Sequence, residues 1–103
     1  MTLEVFRRLN VGDKVKTYSK HPKARYNGVI CVVIDKIEEK KPENYRNRGL
    51  VLLKPIEGQL WTHKDQHPWE GKFNDTIVTQ QMRVYDAKFI TLISKKVKVR
   101  RAP

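Results

Sequence analysis

Lys96, Lys98 and Arg100 alternate with Val97 and Val99. In an extended chain these three cations share one side and repeat every ~6.6–6.8 Å. That spacing is close to the step between successive phosphates of an extended nucleic-acid backbone, so a cationic strand can track one. Lys14 and Lys16 repeat the pattern against Val15 and Thr17. Lys20, Lys23 and Arg25 follow in a polar stretch, and Lys95 and Arg101 bracket the last cationic run. Tyr18 and Tyr26 flank the first basic stretch, and an exposed ring can stack on an unpaired base for ~1–3 kcal/mol. The candidate nucleic-acid-binding residues are therefore Lys14, Lys16, Tyr18, Lys20, Lys23, Arg25, Tyr26, Lys95, Lys96, Lys98, Arg100 and Arg101.

The charge balance supports this choice. The 103 residues hold 22 Lys and Arg against 11 Asp and Glu, a formal charge of +11. Such a density opposes compaction by self-repulsion, and a partner bearing negative charge relieves it. Lysine on an edge strand also guards against aggregation. That role does not explain why acids are absent from residues 87–103. A second cationic group, Lys40, Lys41, Arg46 and Arg48, shares its segment with Glu38, Glu39 and Glu43 and is partly neutralised by them.

Other chemistry finds little support. His63 and His67 lie four apart with Asp65 between them, a spacing that holds zinc well only on a helix or tight loop. Pro68 and the lack of a cysteine pair weaken that reading. Cys31 is the only cysteine and lies within the run Val29-Ile30-Cys31-Val32-Val33-Ile34, where a buried structural thiol is expected. There is no Gly-rich phosphate loop, nucleophile elbow or metalloprotease motif. No catalytic residue, metal, cofactor or small-molecule substrate is expected, and the chain is read as a non-enzyme.

The elements that must position these cations are mainly strands. Residues 14–18 alternate, with Val15 and Thr17 on one face. Residues 29–34 read as a strand covered on both faces. Residues 49–53 form a similar run that ends near Pro55, and Gly58–Thr62 reads as a short strand. Val78, Met82 and Val84 share a face within Thr76–Tyr85, although Gln80-Gln81 would fit a helical turn. Phe89–Ile93 and Lys96–Arg100 alternate clearly, and Asp86-Ala87-Lys88 reads as a hairpin turn before them. Leu3, Phe6 and Leu9 recur at helical spacing, and Thr2 is placed to cap a short N-terminal helix. Residues 19–27, 38–48 and 63–75 read as loops, the second an exposed insertion and the third anchored by Trp69 and Phe73. Five or six short strands in one domain spanning 1–103 define an all-β class, a small barrel or sandwich.

Val11-Gly12-Asp13-Lys14-Val15, a basic loop, and then Asn27-Gly28-Val29-Ile30-Cys31-Val32-Val33-Ile34 resemble the opening of an SH3-like small β-barrel. The segment is most similar to the KOW type of ribosomal proteins and transcription-elongation factors, with Leu50–Leu53 as third strand. The resemblance covers about residues 10–56. Gly-Asp-x-Val followed by Gly-x-Val also recurs in Tudor-type barrels, and Pro22 with basic residues replaces the glycines of KOW loops. The resemblance implies neighbouring first and last strands, which would merge the 14–25 and 95–101 strips into one patch.

The expectation is a nucleic-acid-binding protein that grips the phosphate backbone with little sequence specificity, DNA slightly favoured over RNA. It would serve as an accessory or regulatory factor in transcription or nucleoid function. The rival is a basic protein-interaction module, viral or accessory, that docks on and modulates an acidic protein. No apolar run approaches the ~20 residues of a membrane span, so a cytoplasmic protein, nucleoid- or ribosome-associated, is expected. Reversing the charge of Lys96 and Lys98 should weaken nucleic-acid binding more than reversing Lys40 and Lys41, as measured by filter binding or anisotropy. The opposite order would show that the wrong face was chosen.

Overall fold

The computed structural model describes residues 1–18, 28–40, 42, 46–61 and 71–95. The chain opens with α1 (Leu3–Arg8), then strands β1 (Lys14–Thr17), β2 (Ile30–Glu39) and β3 (Arg48–Pro55). A small hairpin follows, β4 (Lys72–Phe73) and β5 (Thr76–Ile77), and then β6 (Arg83–Asp86), a 3-10 turn (Ala87–Phe89) and β7 (Ile90–Ser94). Five strands form one antiparallel sheet in the order β6-β3-β2-β1-β7. The protein is thus mainly β. Among the described residues no ladder joins β6 to β7, so the sheet is open and not a closed barrel.

The sheet must nevertheless curl. A flat five-stranded sheet spaces its edge strands by four intervals of about 4.8 Å, or ~19 Å. Asp86 on one edge and Ile90 on the other are joined by the three residues of the 3-10 turn, and four virtual bonds reach at most ~14 Å. Asp86 caps this corner by accepting from Lys88 N at 3.0 Å. The Asp86–Lys88 segment is therefore not the expected hairpin turn: the strands it joins pair with β3 and β1 instead of with each other.

One main core fills the inner face. Val15, Val29, Cys31, Val33, Val51, Leu53 and Ile90 are buried there with Phe6 and Leu9 from the N-terminal segment. Thr2 caps α1 as expected, its hydroxyl accepting from Val5 N at 3.2 Å. Phe6 lies over Gly49, where a Cβ would come within 2.7 Å of the ring. At the C-terminal end of α1, where helix carbonyls run short of intrahelical partners, Leu9 N donates to Phe6 O at 3.0 Å. Lys36 Nζ donates to the carbonyls of Phe6 and Arg7 at 3.0 Å each, and Lys95 Nζ donates to that of Arg8 at 2.7 Å.

A smaller core lies on the outer face, where Leu52, Phe73 and Met82 are buried with Ile34, Val78 and Val84 packed around them. The β4–β5 hairpin is fastened there through Asp35, which accepts from Thr76 Oγ1 at 2.9 Å and Asn74 Nδ2 at 3.4 Å. Asp35 follows a register irregularity in the β2–β3 ladder, where a bulge re-aims side chains. Coverage of the outer face is partial. Val29, Cys31 and Val33 are buried, but Ile30, Val32 and Ile34 are only half-buried, so β2 is not enclosed on both sides as its apolar run implies.

Two further expectations are corrected. The segment 38–48 is not an insertion from its start: Glu38 and Glu39 continue β2 and pair with Gly49 and Arg48. Both glutamates, residues of low β propensity, are ion-paired there. Arg7 Nε bonds Glu38 at 2.7 Å and Arg48 bonds Glu39 at 2.8 Å. Gly58–Trp61 is irregular instead of a strand. It curls beside the start of β2, with Ile56 N donating to Ile30 O at 3.1 Å and Ile30 N to Gln59 Oε1 at 3.3 Å. Thr76–Tyr85 divides into β5 and β6 with a turn at Gln80-Gln81.

The two glycines of the recurring motif act differently. Gly12 adopts φ +95°, a conformation that costs a side-chain-bearing residue about 1–2 kcal/mol. At Gly28 the reason is space: a Cβ would stand 1.8 Å from Thr17 O. A clash with backbone cannot be relieved by a rotamer change. Gly28→Ala should therefore lower the urea unfolding free energy by at least about 3 kcal/mol. Gly58→Ala, at φ +84° in open space, should cost about 1–2 kcal/mol. Equal losses would contradict the packing at Thr17.

Candidate nucleic-acid interface

Two groups stand out among the described cations. The first group is committed to structure. Arg7 pairs with Glu38, Arg8 with Glu4, and Arg48 with Glu39 and, at 3.9 Å, with Asp86. The hydrogen bond from Arg7 holds the Glu38 carboxyl below its usual range, and Glu38 in turn raises the Arg7 guanidinium. Lys36 is drawn in to cap α1, and burial lowers its ammonium despite Asp13 and Glu38 nearby. Arg83 donates to the carbonyls of Gln80 and Met82 and lies 5.9 Å from the Trp61 ring centroid.

Lys95 belongs to this committed group too. Its Nζ lies 3.5 Å from Asp13 Oδ2 and also bonds Arg8 O. Asp13 is the carboxylate of the Gly-Asp motif and is fully buried. Its Oδ2 accepts from Asn10 N at 2.9 Å while its own N donates to Asn10 O at 3.1 Å. The side chain thus closes the turn that launches β1, as aspartate does by bonding nearby backbone.

The second group is set on β1 and β3, with Lys54 half-buried. Lys14 and Lys16 are exposed, whereas Val15 and Thr17 between and after them are buried. Lys14 pairs in register with Val32 and Ser94, and Lys16 with Ile30 and Thr91, so neither faces an acid across the ladder. Val32 pairs in turn with Lys54 of β3. Lys14, Val32 and Lys54 therefore form one row across three strands, with the two lysines about 10 Å apart at the backbone. No ion pair among the described residues engages Lys14, Lys16 or Lys54. Tyr18 continues the exposed side of β1, the residue 43% exposed and its hydroxyl donating to Lys88 O at 2.7 Å.

Of the expected site residues, the fold thus brings Lys14, Lys16 and Tyr18 onto one strand face. It turns Lys95 toward Asp13. Lys20, Lys23, Arg25, Tyr26, Lys96, Lys98, Arg100 and Arg101 lie outside the described residues, as do His63, Asp65, His67 and Trp69. Lys54 was missed. Its alternation with Leu53 assigns it to the side of Leu52, but only strand register makes it a neighbour of Lys14. The β1–β7 ladder places the first strand against β7, while the strips expected to merge, 19–25 and 96–101, lie outside the described residues.

Other chemistry at the described residues is limited. Cys31 is buried, and desolvation pushes its thiol up to about 12, which suppresses the reactive thiolate. No group of three or more His, Cys, Asp or Glu able to hold a metal occurs among the described residues. No described helix is long and apolar enough to cross a membrane.

Searches against protein-family models, curated proteins and solved structures return no match for this chain.

Asp13→Ala should lower unfolding free energy by about 2–3 kcal/mol, because it strands the Asn10 N–H and removes the counter-charge of Lys95. Chemical denaturation measures this. A loss below about 0.5 kcal/mol would show that the buried carboxylate does not hold the turn.

Proposed function

We propose that this protein binds nucleic acid by gripping its phosphate backbone through the outer face of β1 and the adjoining row to Lys54. The observation that carries this reading is the separation of the cations. Arg7, Arg8, Lys36, Arg48 and Lys95 are engaged by carboxylates or helix-end carbonyls. Lys14, Lys16 and Lys54 stand together on a surface whose cross-strand neighbours are neutral. Phosphate contacts of this kind give affinity and position without sequence information. The only described α-helix has six residues and is packed through Phe6 onto Gly49, so among the described residues no helix is free to enter a groove. The binding is therefore weakly sequence-specific. In this reading DNA is slightly preferred over RNA.

We read the fold as an SH3-like small barrel, similar to the KOW type through its Gly12-Asp13 and Gly28 motif and opened between β6 and β7; the first strand lies between the second and the last described strands. In this reading the protein is a non-enzymatic accessory factor in transcription or nucleoid function.

Titration of a random-sequence duplex across salt tests the proposal. Displacing Z counterions gives a log–log slope of about −0.9Z, so three lysines alone require a slope steeper than about −2.7. Lys14→Glu and Lys54→Glu should each weaken binding and flatten the slope by about 1, with unfolding free energy nearly unchanged. A flat slope, or no binding at low salt, would sink the proposal and favour docking on an acidic protein.

A further inference from the structure

Lys54 borders a second feature. Beyond it the chain leaves β3 at Pro55, turns through Glu57-Gly58 and runs alongside the start of β2. A cavity of about 400 Å³ opens there, lined by Lys54, Ile56, Glu57, Leu60, Trp61 and Gln81 among others. Its size is within the range of ligand pockets, about 300–1,000 Å³.

The walls are held in place from behind. Trp61 stacks on Tyr85 with ring centroids 5.6 Å apart and planes 14° off parallel, and its Nε1 donates to Gln81 O at 2.6 Å. Both rings pack against the main core. The Gln59 carboxamide is bound to Ile30 N, which fixes the loop to β2. Leu60, by contrast, is 79% exposed. A single exposed leucine means little, but at the rim of a cavity it extends an apolar wall with nothing from the described chain covering it.

Position decides the ligand. Lys54 belongs both to this cavity and to the row Lys14–Val32–Lys54. Lys16 pairs with Ile30, the residue to which Gln59 is bonded. The cavity therefore borders the phosphate-gripping patch directly. A nucleotide carries its base one sugar away from its phosphate. The interior suits a base better than a second phosphate, because Glu57 repels an anion yet accepts from the amino groups of bases. Ile56, Leu60 and Trp61 offer apolar surface to its ring, and Gln81 offers an amide.

We propose that this cavity receives an unpaired nucleobase, so that single-stranded nucleic acid, with phosphates on Lys14, Lys16 and Lys54, is the preferred ligand. A paired base cannot enter, since its edge and both faces are occupied in the duplex. The proposal rests on the nucleic-acid reading above and adds a base site to it.

The test compares the wild-type protein on a short mixed-sequence DNA single strand and on an abasic strand of equal length at the same salt. The phosphates are the same and only the bases differ. The abasic strand should bind about tenfold more weakly. Equal affinities would overturn the base site while leaving the electrostatic reading intact. No binding of either strand at low salt would overturn both. Trp61→Ala removes packing as well as the wall, so Leu60→Ala and Gln81→Ala, both at exposed positions, serve as independent variants. Each should weaken the base-bearing strand several-fold and leave the abasic strand unchanged. Lys54→Gln should weaken both strands alike. Equal weakening of the two strands by Leu60→Ala and Gln81→Ala would also overturn the base site.

Discussion

Three residues, Ala87 to Phe89, join the opposite edges of the five-stranded sheet. Their short reach bends the sheet, and the bend divides its surface into two unlike faces. The inner face gathers Val15, Cys31, Val33, Val51, Leu53 and Ile90 into one core that α1 closes with Phe6. The outer face is left with more area than the small β4–β5 hairpin can cover. Its remainder, along β1 and the start of β2, is where Lys14 and Lys16 meet half-buried Ile30 and Val32.

A chain of net charge +11 needs ways to hold its cations apart or neutralise them. Much of the acid is concentrated where cations support the fold. Glu38 and Glu39 end β2 and draw in Arg7 and Arg48, while Asp13 draws in Lys95 beneath α1. Two lysines add donors to the carbonyls at the end of the short helix α1. The exposed pairs of Arg7 and Arg48 contribute little stability individually. Their consequence is spatial, since they use acids that would otherwise screen the outer face. The lysines of β1 and Lys54 are left to present positive potential to solvent.

The alternation of Val15 and Thr17 with Lys14 and Lys16 already specified which side of β1 is buried, and the burial follows it. Gly12-Asp13 marked the turn into β1, Thr2 the helix cap, and Cys31 an inert core thiol. The errors lie where local pattern is ambiguous. Glu38-Glu39 reads as loop because charged pairs are poor strand formers, and their partner Arg7 lies 31 residues away from Glu38. Asp86-Ala87-Lys88 reads as a hairpin because turn residues specify a change of direction without specifying which strands then pair.

The sequence by itself determined the net positive charge, the mainly β class and the buried face of β1, because these depend on composition and on a two-residue period that every extended chain obeys. Only the tertiary structure decided which cations are available. Lys95 looks equivalent to its neighbours in sequence, yet it is bound to a buried carboxylate. Lys54 sits in an apolar run, yet it stands in a row with Lys14 and at the mouth of the Trp61 cavity. The period of a strand fixes the direction of a side chain. Its neighbours are fixed by register and by the curl of the sheet, and these arise from contacts between residues far apart in the chain.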